Sequence, residues 1–189
     1  MSILDQSERC QSMDPGSMVS LIESLPEQIQ TAARRGLELS LTLNAKPEAL
    51  LVAGLGGSAI GGDLARSVAA PHLKIPLIVT RDYDLPGFVD ESSLVFACSY
   101  SGNTEETLSA YQQARSVRAS IICITSGGKL QEMADRDSGP VISLPPGLPP
   151  RAALGHSLTA LLAAMQSLRL IPPLDESIGE TVGLLSKLR

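Results

Sequence analysis

Five short apolar runs recur along the chain, and each ends in a cluster of turn-forming or hydroxyl-bearing residues. They are Leu50-Leu51-Val52-Ala53, Pro76-Leu77-Ile78-Val79, Leu94-Val95-Phe96-Ala97-Cys98, Ser120-Ile121-Ile122-Cys123-Ile124 and Val141-Ile142-Ser143-Leu144. Continuous apolar runs of this length are the pattern of strands buried on both faces of a parallel sheet. Between them lie segments of helical period, such as the stretch bearing Leu108, Tyr111, Ala114 and Val117. Strands alternating with helices predict a three-layer α-β-α sandwich around a five-stranded, doubly wound parallel sheet. In such folds ligands bind beyond the carboxyl ends of the strands, where the winding direction switches.

The richest of those ends is Ser99-Tyr100-Ser101-Gly102-Asn103-Thr104-Glu105-Glu106-Thr107. Gly102 permits a tight turn, Asn103 suits an N-cap, and Glu106 stands in the position of a capping-box acid, so a helix is expected from Thr104. Unpaired amides at that helix start, beside the hydroxyls of Ser99, Ser101, Thr104 and Thr107, offer a cradle for an anion without lysine or arginine; the alternative is that these residues only cap the helix and complete the turn. Glu105 and Glu106 lie in the first turn, where acids are favoured by the dipole alone.

The first run ends in Gly54-Leu55-Gly56-Gly57-Ser58-Ala59-Ile60-Gly61-Gly62-Asp63. Gly54-x-Gly56 with Ala59 satisfies a dinucleotide fingerprint formally, yet Ser58 opens the helix as a hydroxyl donor and Val79-Thr80-Arg81 offers no acid at the end of the next strand. A second phosphate-facing turn suits these residues better, and Gly61 and Gly62 suit close packing of helix on strand.

With a net charge of −5 and 3% aromatic residues, the chain lacks the basic patch and stacking platform of a nucleic-acid binder. Arg34-Arg35 reads as a solvated helix face. No apolar stretch is long enough to span a membrane, and Met1 to Asp14 is not a secretory leader, so a cytoplasmic protein is expected. Cys10, Cys98 and Cys123 have no ligand-like spacing, which points away from a disulfide or a zinc site. Residues 1–17 read as a tail, 18–171 as the domain, and 172–189 as the opening of a linker or second domain. Met18, Leu21, Ile22 and Leu25 form one helical stripe; Pro26 opens a second helix bearing Ile29, Ala33 and Leu37. The Pro145–Pro150 stretch is stiff and extended, and it fixes Arg151 at the start of a helix with the stripe Leu154, Leu158, Leu161, Met165. A cation there opposes the helix dipole, which an anionic partner would offset; the alternative is an arginine that faces solvent. His156 lies off that stripe and reads as a surface or hydrogen-bonded histidine.

The glycine turn 54–63, Arg81-Asp82-Tyr83, Ser99 to Thr107, Thr125-Ser126-Gly127-Gly128 and Pro150-Arg151, in that order, resemble the sugar isomerase (SIS) domain family, over residues 18–170. The chain is similar there to the amino-terminal half of bifunctional phosphoglucose/phosphomannose isomerases. The resemblance implies a sugar phosphate bound by Ser58, Ser99, Ser101 and Thr104 with the Gly57 backbone, Arg151 at the reacting end of the sugar, and neither cofactor nor metal. It also implies a second SIS domain, in cis or from another copy, that carries the catalytic glutamate and the ring-opening histidine. The activity implied is conversion of glucose 6-phosphate and mannose 6-phosphate to fructose 6-phosphate, with this chain alone weakly active or inactive. Two alternatives remain: a stand-alone isomerase using Glu106 and His156, or a non-catalytic phosphosugar-sensing module. For the latter, residues 1–45 show no basic helix-turn-helix pattern.

Overall fold

The computed structural model describes residues 12–37 and 45–189, together with Gln6, Arg9 and Leu43. Most of the expected tail therefore lies outside the described residues. Helix α1 (Met18–Glu23) leads into α2 (Leu25–Leu37), which Pro26 enters in its first turn. Then follow β1 (Ala49–Gly54), α3 (Gly57–Ala69), β2 (Leu77–Thr80), β3 (Ser93–Ser99), α4 (Glu105–Ser116), β4 (Ser120–Thr125), α5 (Gly128–Arg136) and β5 (Val141–Ser143). A 3-10 turn (Pro150–Ala152), α6 (Leu154–Ser167) and α7 (Asp175–Leu188) complete the described chain.

The five strands form one parallel sheet in the order β2-β1-β3-β4-β5. Connections run one way from β1 to β2 and the other way from β3 onward, so the switch of winding lies between β1 and β3. The two central strands are buried along their whole length, which is why they read as unbroken apolar runs. One face of the sheet, with Leu50, Val52, Leu94, Phe96 and Ile122, packs against α3 and α6; the other, with Leu51, Ala53 and Val95, packs under α4. A Cβ on Gly62 would lie 2.8 Å from Val52 Cγ1, so a bare backbone here seats α3 on the sheet.

Helix α6 is buried on most of its surface, from Gly155 to Met165, against the sheet, α2 and α3. Its stripe of Leu158, Leu161 and Met165 packs into the core of this domain. His156 is buried with it at 6% exposure, not placed on the surface, because α2 covers that side of α6. Val117, expected to face inward with Leu108, Tyr111 and Ala114, is instead exposed at the end of α4. Within residues 172–189, α7 rests on α2, and Leu174 at its N-cap and Ile178 within it pack against the core. Val19 and Ile22 of α1 and Ile60, Leu64 and Val68 of α3 are apolar and exposed. Among the described residues, no helix is long and apolar enough to cross a membrane.

Candidate functional site

The turns after β1 and β3 meet at the switch of winding. Tyr100 N–H donates to Ser58 Oγ at 3.3 Å, which ties the two turns together through buried atoms. Ser99 Oγ accepts Gly102 N–H at 3.1 Å and shares a 2.8 Å hydrogen bond with Thr104 Oγ1. Ser101 is exposed, and its Oγ accepts Asn103 N–H at 3.3 Å. The hydroxyls of Ser58, Ser99 and Ser101 thus each accept a backbone amide. An O–H group that accepts still has its proton to donate, and among the described residues the Ser58 and Ser101 protons go to no acceptor.

Thr104 is the N-cap of α4, and its side chain makes no capping bond, so the first amides of that helix stay uncapped. Asn103 does not cap α4. Gly102 sits at φ 70°, and this turn places Asn103 against the neighbouring β4–α5 loop, where its Oδ1 accepts Lys129 N–H at 3.2 Å and its Nδ2 donates to Ser101 O at 3.1 Å. The asparagine caps a different helix from the one that follows it in the chain. Thr107 also departs from expectation: it is fully buried and donates to Cys98 O at 3.4 Å, away from the cradle. The cradle's hydroxyls are therefore those of Ser58, Ser99, Ser101 and Thr104.

Gly57 brings the fifth part into place. A Cβ there would come within 2.8 Å of Pro150 O, so only glycine lets the 3-10 turn carrying Arg151 lie over the start of α3. Arg151 itself is exposed and forms no ion pair among the described residues. Two residues missed in the sequence hold this turn. Buried Gln28 donates from Nε2 to Ala152 O at 2.8 Å, and Tyr100 OH donates to Pro145 O at 2.6 Å while accepting Leu148 N–H at 3.0 Å. A glutamine between Leu25 and Ile29, on the apolar face of α2, was the available signal for the first.

Charged residues stand close to these turns, with Glu105 and Glu106 in the first turn of α4 itself. Arg81 pairs with Asp63, and Tyr83 OH donates to Glu105 Oε2 at 3.1 Å, a bond that holds the phenol above its ordinary pKa. The Cys98 thiol at the end of β3 is pushed up by burial and stays a thiol. His156 Nδ1 is buried without a partner among the described residues, and desolvation, followed by the nearby Arg35 charge, lowers its pKa.

A parallel sheet in this order, with the starts of α3 and α4 meeting at its switch of winding, defines a doubly wound α/β domain. The SIS domain model matches residues 42–139, and the chain belongs to that family. A bifunctional phosphoglucose/phosphomannose isomerase of Caldicellulosiruptor bescii is 53% identical over 91% of this chain and 51% of its own length. One from Thermoplasma acidophilum is 41% identical over 74% of this chain and 41% of its own. The chain thus spans about half the length, or less, of these curated relatives. Among solved structures, tagatose-6-phosphate ketose/aldose isomerase from Escherichia coli superposes with a TM-score of 0.62 at 20% identity, covering 90% of this chain and 53% of that one; this likeness is one of fold.

Proposed function

We propose that the chain binds a sugar phosphate across the ends of β1 and β3, as the phosphosugar-binding half of an isomerase that converts glucose 6-phosphate and mannose 6-phosphate to fructose 6-phosphate. One observation carries this reading: the hydroxyls of Ser58 and Ser101 accept backbone amides, which leaves their protons as donors beside the uncapped start of α4. Ser99 and Thr104 share one hydrogen bond, so one of their two hydroxyl protons is also left to donate. Such donors and the helix dipole suit a phosphate dianion in an acidic protein. The Gly57 backbone lines the same end, and Arg151 reaches the sugar's reacting end.

Aldose–ketose isomerisation needs a carboxylate to carry a proton between C1 and C2, and an acid-base group to open the ring. Glu105 is engaged by Tyr83, and His156 is enclosed between helices, which supports placing both groups in a second SIS domain, in cis or from another copy. Residues 18–171 then make the phosphosugar domain of a cytoplasmic enzyme. A stand-alone isomerase using Glu106 and His156 would need the histidine exposed.

Calorimetry with fructose 6-phosphate tests the site. Replacing Ser101 and Thr104 together by Ala should weaken binding by about 0.5 to 1.5 kcal/mol per hydrogen bond lost, more where the acceptor is charged. Unchanged affinity would overturn the assignment. Turnover of glucose 6-phosphate by residues 1–189 alone would shift the base back into this chain.

A further inference from the structure

A second anion-facing feature lies at the opposite edge of the sheet. A cleft of about 350 Å³ is lined by Lys46, His72, Lys74 and Arg169 around Leu73, Ile75, Leu170, Ile171 and Pro172. Lys46 precedes β1, Lys74 precedes β2, and Arg169 follows α6, so the amino-terminal edge of the sheet gathers them from three distant stretches. In a chain of net charge −5, no Asp or Glu among the described residues lines this cleft. None of the three permanent cations forms an ion pair among the described residues.

Cations often gather at helix carboxyl ends merely to complement the dipole, and α3 and α6 both end here. Each such end counts for roughly half a negative charge, so two ends offset only about one of the three lysine and arginine charges. Those carbonyls are also engaged: Ala69 O accepts His72 N–H and Leu73 N–H, and Gln166 O and Met165 O accept Arg169 N–H and Leu170 N–H. The last pair is a Schellman motif with Arg169 at its left-handed position, φ 57°, where glycine is the unstrained choice.

We propose that this cleft is a binding site for an organic phosphate of about mononucleotide size, its charge met by Lys46, Lys74 and Arg169 and its apolar part by Leu73, Ile75 and Ile171. The guanidinium matches a phosphate in two-point geometry and the lysines act as point charges. The apolar floor distinguishes the ligand from a free inorganic anion. The site is separate from the sugar-phosphate cradle and does not depend on it.

Calorimetric titration of the full chain with AMP, inorganic phosphate and adenosine in low salt tests the assignment. AMP binds at least tenfold more tightly than either of the others, each of which satisfies only half the cleft. Lys74→Glu weakens AMP at least tenfold, while Ser101→Ala with Thr104→Ala leaves it within twofold. Arg169→Gly relaxes the backbone, so it raises the thermal midpoint while lowering AMP affinity; a purely structural arginine would show the first effect without the second. Absence of AMP binding at millimolar concentration, equal affinity for AMP and inorganic phosphate, indifference to Lys74→Glu, or loss of AMP binding in the Ser101/Thr104 variant would each overturn the proposal.

Discussion

The two edges of the sheet present polar groups of opposite kinds. At the carboxyl edge the turns after β1 and β3 use hydroxyls and uncapped amides, locked by short internal bonds such as Ser99 to Thr104. At the amino edge the cleft uses Lys46, Lys74 and Arg169, which are exposed and without carboxylate partners among the described residues. Fixed dipoles act at short range and need no reorganisation, whereas mobile cations lose side-chain entropy on binding and are screened by salt. The first arrangement suits selection among similar ligands; the second suits capture by charge.

The comparison breaks first if the carboxyl edge is not rigid. Gly102→Ala would drive a Cβ into the Gly127 carbonyl and impose φ 70° on an L-residue. It should destabilise the fold by about 3 kcal/mol or more, read from the denaturation midpoint. Next in size, Tyr100→Phe leaves the half-buried partners Pro145 O and Leu148 N–H unmatched. A loss of about 1 to 3 kcal/mol in stability is expected, together with weaker fructose 6-phosphate binding as the turn carrying Arg151 loosens. A stability loss with unchanged affinity would separate that turn from the site.

Salt sharpens the contrast. Raising ionic strength from about 0.05 M to about 0.3 M should weaken AMP several-fold and fructose 6-phosphate by less than about twofold, because the Debye length falls below the reach of exposed cations. Equal salt slopes in calorimetry would erase the distinction. The smallest effect concerns His156. Its folded pKa is lowered by burial, so the unfolded chain binds the additional proton first and stability falls as pH drops below about 6.5 toward the lowered folded value. Thermal midpoints measured between pH 7.5 and 5.5 should decline, and His156→Leu should flatten that decline.

Much of the fold was legible. The five strands fall within a residue or two of the apolar runs, since residues buried on both faces of a parallel sheet must be apolar whatever their neighbours. The hydroxyl-rich turns were legible for the same local reason: they sit where each run stops. Asn103 was misread because capping was argued along the chain, while Gly102 and Gly128, both at positive φ, bring the β4–α5 loop beside it. His156 was misread because the covering of α6 by α2 is a contact between residues far apart in sequence.

The sequence by itself determined the alternation of strands and helices and which turns carry hydroxyls, because strand burial and turn chemistry depend on neighbours a few residues away. The tertiary structure alone decided that the Thr107 hydroxyl points inward, that Gln28 grips the turn bearing Arg151, and that Lys46, Lys74 and Arg169 share one cleft. Those outcomes depend on partners set by sheet order and helix packing, and no local pattern encodes which distant residue a side chain will meet.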